Sequence, residues 1–320
     1  MGNNLDYFIW TEIFNCGKIG KIAIESFLKH HPNLTLNVFG YSDDFRWVRN
    51  DSRIKKHIFP RSNFLRRNIA KITNRLIGFK GHIDSNDLEE GFSNGHLGTA
   101  RLWSFIIQNK SEDYLLHFDS DTIFMDNLID EMLDLRYKYD VVCPPRSYKH
   151  NPMNDEYFKS FEDVAATNCF LFNKSKIDSF SFNQLVLMCQ GHYNPLGHRV
   201  IDFFDPISFN IRKNGGEFYF LDFDDVGATD LLGSRNNIFS EINNFNTPFK
   251  LDFGRKLVHF SAVGSGMNIY NNMNVNIPES YQTYAIDRYA LFCKIFYNED
   301  LGIDLSSYNI LIDVLTKKLI

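Results

Sequence analysis

Two kinds of apolar spacing alternate along the first 130 residues. Tyr7 to Glu12, YFIWTE, is a continuous apolar run and reads as a buried strand. Residues 17–31 place apolar side chains at 19, 22, 24, 27 and 28, a helical stripe that Pro32 ends. LTLNVFGYSDD (34–44) alternates and is β-branched, which predicts a second strand running into a polar loop. IKKHIFP (54–60) predicts a short third strand. Helical stripes follow at 63–79 and 95–110, and then YLLHF (114–118) predicts another strand. Strand, helix, strand, strand, helix, helix, strand is the order of a mostly parallel sheet with helices on both faces.

The second half is less regular. YDVVCPP (139–145), ATNCFLFN (166–173), EFYFLDF (217–223) and KLVHFSAVGSG (256–266) predict strands or strand-to-loop passages. DPISFNIRKNGG (205–216) has an Asp-Pro start and a Gly stop, so it predicts a short helix. Two more helical patterns lie around 281–297 and 306–319. With no Pro/Gly/Ser-rich linker, the reading is one α/β domain over 1–280 and a helical extension over 281–320 packed on it.

Composition adds limits. Of the 320 residues, 44% are hydrophobic and 23% charged, as in ordinary globular chains. No apolar run approaches the roughly 20 residues that span a bilayer. The first residues lack a basic segment followed by an apolar one, so no signal peptide is predicted. Five dispersed cysteines read as reduced thiols and favour a cytoplasmic location.

The chemistry concentrates where the fourth strand ends, at Asp119-Ser120-Asp121. Two carboxylates one residue apart repel each other unless something positive lies between them. A plain turn is one reading, since Asp and Ser form turns. A calcium loop fails, because Ile123 and Phe124 stand where an oxygen ligand and a Gly are required. A phosphorylatable Asp would stand alone as a nucleophile. The remaining reading is a divalent cation bridging the carboxylates to a diphosphate, which suits Mg²⁺ or Mn²⁺.

A strand, Asp-x-Asp, a further apolar residue, and a preceding helix with Gly98, Thr99 and Arg101 resemble the core of the GT-A glycosyltransferases. The pattern covers roughly residues 5 to 266. The resemblance implies a GT-A, Rossmann-like fold. The activity it implies is metal-dependent transfer of a hexosyl or pentosyl group from a nucleotide sugar, a UDP sugar foremost, to a glycan or glycolipid hydroxyl. It implies Asp121 as the direct metal ligand, Asp119 as its helper, and His259, before the turn Gly264-Ser265-Gly266, as the third ligand. A His nitrogen tilts such a site toward Mn²⁺.

For the catalytic or acceptor-binding acid the resemblance points to Asp205, with Asp202 as fallback. The family often shows Glu-Asp there, whereas this chain has Phe204-Asp205, and Asp205 is also a good helix cap. Donor contacts fall by resemblance on Thr11, Glu12, Asp44, Arg101, Ser120, Gly264 and Ser265. A nucleotidyltransferase and a non-catalytic sugar-binding protein are the alternatives, and modified DNA or protein the alternative acceptors. NCGKIGK (15–21) is no phosphate-binding P-loop, because Ile22 occupies the Ser/Thr position.

Charge is unevenly spread. Residues 46–83 hold eleven Lys or Arg against Asp51 alone, a net +10 in a chain of net −5. The helical stripe at 63–79 makes this stretch a basic amphipathic segment suited to an anionic membrane surface, with nucleic acid the second choice. Co-sedimentation with anionic but not neutral liposomes, lost as salt rises, is the expected result. A DNA mobility shift without liposome binding reassigns the partner, and binding to neither leaves a solvated face.

Overall fold

The computed structural model describes residues 6–59, 97–144, 168–177, 205–222, 225–228, 255–260, 279–309, 312–313 and 316–317. Seven strands form the main sheet. They are β1 (Tyr7–Glu12), β2 (Leu36–Tyr41), β3 (Ile54–Phe59), β4 (Tyr114–Phe118), β6 (Val141–Cys143), β7 (Cys169–Asn173) and β8 (Phe218–Phe220). Their order across the sheet is β3-β2-β1-β4-β7-β6-β8. All neighbours pair parallel except at β7, which runs antiparallel to both β4 and β6. This is the mostly parallel, helix-flanked α/β class that the sequence predicts.

Alternation along each strand decides which face a side chain fills. On one face Ile9, Val38, Leu116 and Leu171 pack with Ala23, Ile24 and Phe27 of α1 (Gly17–His30). On the other, Phe8, Trp10, Leu115 and Phe170 pack with Leu102, Trp103 and Ile106 of α2 (Leu97–Asn109) and with Ile207 and Ile211 of α4 (Asp205–Lys213). A short α3 (Ile129–Leu135) completes the first face through Ile129, Met132 and Leu133.

A second, three-stranded sheet departs from the end of β4. Its strands are β5 (Thr122–Phe124), β9 (Val226–Ala228) and β10 (Leu257–His259), ordered β5-β10-β9. Phe124 N–H donates to Ser26 Oγ at 3.1 Å, which ties β5 to α1. Helix α5 (Glu279–Tyr297) covers this sheet and α1: Tyr289, Leu291 and Phe292 join Ile19, Ile22, Ile123, Val258 and Phe260 in a third core cluster. Tyr289 Oη donates to the Ile19 carbonyl at 2.8 Å, and Lys21 pairs with Glu299 at 2.6 Å. The region 60–96, which includes the basic segment's helical stripe at 63–79, lies outside the described residues.

The loop from β1 into α1 is held by a carboxylate from the next strand's exit. Asp44 accepts from the backbone N–H groups of Asn15 and Tyr41 through Oδ2, at 3.2 and 3.0 Å, and of Gly17 through Oδ1 at 3.3 Å. An acid at a helix N-terminus satisfies otherwise orphaned donors. Asn15 has φ 60°, a left-handed conformation that Asn tolerates. The approach leaves no room at Gly17, where a Cβ would stand 2.4 Å from the Asp44 carbonyl oxygen. Because that neighbour is backbone, Gly17→Ala is expected to cost about 1–3 kcal/mol, the usual range for overpacking. Urea unfolding should show a lowered midpoint. An unchanged midpoint would mean that the loop yields freely.

Candidate metal centre

The end of β4 is turned by hydrogen bonds that use one carbonyl twice. Asp119 N–H donates to Asn168 O at 3.0 Å, and Thr122 Oγ1 donates to the same oxygen at 2.8 Å. Thr122 N–H then closes the turn on Asp119 O at 3.0 Å. Asn168, the residue before β7, thus clamps both ends of Asp119-Ser120-Asp121-Thr122. The turn reverses the chain into β5, and β5 pairs antiparallel with β10 so that Thr122 lies opposite His259. Phe260 N–H adds a bond to Asp121 O at 3.1 Å.

That register brings a third polar side chain to the two acids. His259 Nε2 lies 3.4 Å from Asp119 Oδ2 and 3.3 Å from Asp121 Oδ1. One ligand atom from each of Asp119, Asp121 and His259 falls within 4.8 Å of the others. Atoms that bind one small divalent ion at about 2.0–2.2 Å stand roughly 3–4 Å apart, so the spacing fits. The donor set fits as well: two hard carboxylate oxygens and one imidazole nitrogen suit Mn²⁺ or Mg²⁺. The site is partly open, with the Asp119 side chain 28% exposed, Asp121 10% and His259 14%.

Electrostatics bind these three groups to one another. Burial pushes the His259 imidazolium down, but the Asp121 and Asp119 carboxylates outweigh it and raise His259 to about 10. Burial raises Asp119, while His259 and His117 pull it back. Two like charges 4 Å apart repel by roughly 1 kcal/mol in water and about 4 kcal/mol at the lower effective dielectric of a protein. His259 between two carboxylates offsets that repulsion.

The remaining expected site residues fall in different places. Ser120 Oγ meets Cys16 Sγ at 3.3 Å, linking the turn to the start of α1. Thr11 is fully buried. Glu12 is engaged internally: Oε1 accepts from the indoles of Trp10 and Trp103 at 3.2 and 2.6 Å, and Oε2 from His117 Nε2 at 2.5 Å. The Asp44 carboxylate is directed at backbone N–H groups, as described above. Asp205 opens α4, but its side chain, like that of Arg101, lies outside the described part. Asp202, Gly264 and Ser265 lie outside the described residues. Sequence reasoning missed His117, although a polar residue in the buried strand YLLHF was a signal.

No protein-family model matches the sequence, and no curated protein matches it. Solved structures similar to the chain include the apo form of mouse xyloside xylosyltransferase 1, at 12% identity over 86% of this chain and 100% of that one, TM-score 0.46. The galactosyltransferase LgtC with donor and acceptor sugar analogues is similar at 9% identity, over 86% and 99% of the two chains, TM-score 0.44. The bifunctional glycosyltransferase WbbM follows at 14% identity, over 90% and 53%, TM-score 0.45. Each score is below 0.5, so the chemistry of the site is read from its own residues.

The raised His259 has a measurable consequence in chelator-treated protein. A group whose folded value lies above its ordinary 6.5 contributes stability that is fully present below pH 6.5 and is lost as pH rises through about 10. The stability difference between the wild type and His259→Ala should therefore shrink between pH 6.5 and 10 in urea titrations. A difference that is constant across that range would mean that His259 is not held charged by the two acids.

Proposed function

We propose that the chain is a divalent-metal-dependent glycosyltransferase that moves a hexosyl or pentosyl group from a nucleoside diphosphate sugar, UDP foremost, to the hydroxyl of a glycan or glycolipid. The observation that carries this reading is the convergence of Asp119, Asp121 and His259 at the carboxyl end of β4. In open α/β sheets ligands bind beyond the carboxyl ends of the strands. A structural role alone would not require two acids and an imidazole at a partly open strand end.

In this reading Asp121 and His259 hold the ion directly and Asp119 supports it. When bound, the ion supplies positive charge to a diphosphate leaving group. The residues of this chain do the rest. Asp121, the least exposed of the three, is anchored through its own carbonyl by Phe260 N–H, so its carboxylate is presented from a fixed backbone. Ser120, between the acids and in contact with Cys16, is proposed as a donor contact from the turn. Asp205, at the opening of α4, is proposed as the acid that takes the acceptor proton or orients the acceptor. The basic segment 46–83 is proposed to bring the protein to an anionic surface where a lipid-linked acceptor would lie.

The test is turnover of nucleotide sugars, including slow hydrolysis to water in the absence of an acceptor. EDTA should abolish it and Mn²⁺ or Mg²⁺ should restore it. Asp121→Asn should lower kcat/KM by at least about 10²-fold with the melting temperature little changed, as expected when transition-state charge stabilisation is removed. Full turnover in chelator, or in Asp121→Asn, would refute the reading.

A further inference from the structure

Behind the three convergent residues lies a second set of polar groups that metal binding alone does not explain. Trp10 and Trp103 are fully buried, and a buried indole N–H needs an acceptor. Both N–H groups go to one atom, Glu12 Oε1. The other oxygen, Oε2, accepts from His117 Nε2 at 2.5 Å. The His117 ring is enclosed by Trp10, Trp103 and Phe170 at centroid separations of 5.1, 4.6 and 5.4 Å, which leaves it no room to swing. Its remaining nitrogen, Nδ1, is buried on the side toward Asp119 and stands 3.9 Å from Asp119 Oδ1.

The two oxygens of Asp119 are thus divided. Oδ1 faces His117, while Oδ2 faces the cation site at 3.4 Å from His259 Nε2. His117 and Asp119 are two residues apart at the end of one strand, so both project to the same side of the sheet. Asp119 is the most exposed of the three site residues, and its backbone bonds fix the main chain without fixing the carboxylate. At 3.9 Å His117 Nδ1 is beyond direct hydrogen-bond reach of Oδ1, and its pull on the carboxylate is electrostatic. Stability is a poor alternative explanation for the buried pair. Taking a carboxylate and an imidazole out of water is costly, and well-packed apolar residues of similar volume are often as stable or more so. A polar pair kept at this position is better explained by what it orients.

We propose that His117, pinned by Glu12 and the two indoles, is a positioning residue that turns the Asp119 carboxylate toward the cation site. The proposal rests on the metal-dependent reading above. Residues that orient ligands from behind typically change metal affinity by about 10- to 100-fold when replaced.

Two substitutions separate orientation from packing. His117→Gln still reaches Glu12 but removes the nitrogen that faces Asp119. His117→Asn keeps a nitrogen on the Asp119 side but abandons Glu12. Mn²⁺ alone is the probe, titrated calorimetrically into chelator-stripped full-length protein, with melting temperatures measured on the same samples. His117→Gln should melt nearer to the wild type yet bind Mn²⁺ about 10- to 100-fold more weakly. His117→Asn should melt lower yet lose less Mn²⁺ affinity than His117→Gln. Wild-type affinity in His117→Gln, or affinity losses that follow the order of melting temperatures, would overturn the positioning role and leave the metal-centre reading standing. A wild-type protein that does not bind Mn²⁺ overturns both. His117→Gln retains the partner of the buried Glu12, so it is the variant expected to fold and is decisive by itself.

Discussion

Negative charge gathered at the end of the central strands is the constraint on which the site depends. Glu12 ends β1, and Asp119 and Asp121 follow β4, its parallel neighbour. Three carboxylates in that space would repel one another strongly in a partly dry interior. The structure separates them with imidazoles: Glu12 meets His117, His117 faces Asp119, and His259 meets both Asp119 and Asp121. Each contact is made possible by strand pairing. β1 beside β4 sets Glu12 against His117, and β10 beside β5 sets His259 against the acids.

The architecture around the site serves this arrangement. α1 ties into the turn through Cys16 and Ser120 and into β5 through Ser26. α5 seals the outer side of the small sheet, so that β10 is packed on Phe260, Tyr289 and Phe292 rather than left as a loose hairpin. A three-residue strand has little stability of its own, and here packing supplies it. The result is a packed inner wall and a partly exposed outer edge.

Much of this was legible in the sequence, and the limits have physical reasons. α1 and α2 announce themselves through apolar residues at helical spacing, and β1, β2 and β3 through short apolar or alternating runs rich in strand-forming residues. Of the small sheet only β10 is legible, inside the predicted passage 256–266; β5 and β9 are three residues each and show no period. The reversed direction of β7 is invisible as well, since CFLFN reads the same either way. Asp119 and Asp121 stand out through their context, and His259 through the turn that follows it. That His259 lies within 3.4 Å of the acids depends on the β5–β10 register, which no local pattern encodes. His117 was hidden by its apolar neighbours, and Glu12 was read as facing the donor whereas its oxygens are taken by Trp10, Trp103 and His117.

The central claim is that Asp119, Asp121 and His259 together hold one divalent ion. Anomalous diffraction at the manganese edge, from crystals grown with Mn²⁺ and UDP, tests it most directly. The account predicts a single strong peak about 2.0–2.3 Å from a ligand atom of Asp121 and of His259, with Asp119 bound directly or through water. No peak at this strand end, or a peak held by other residues, would contradict it.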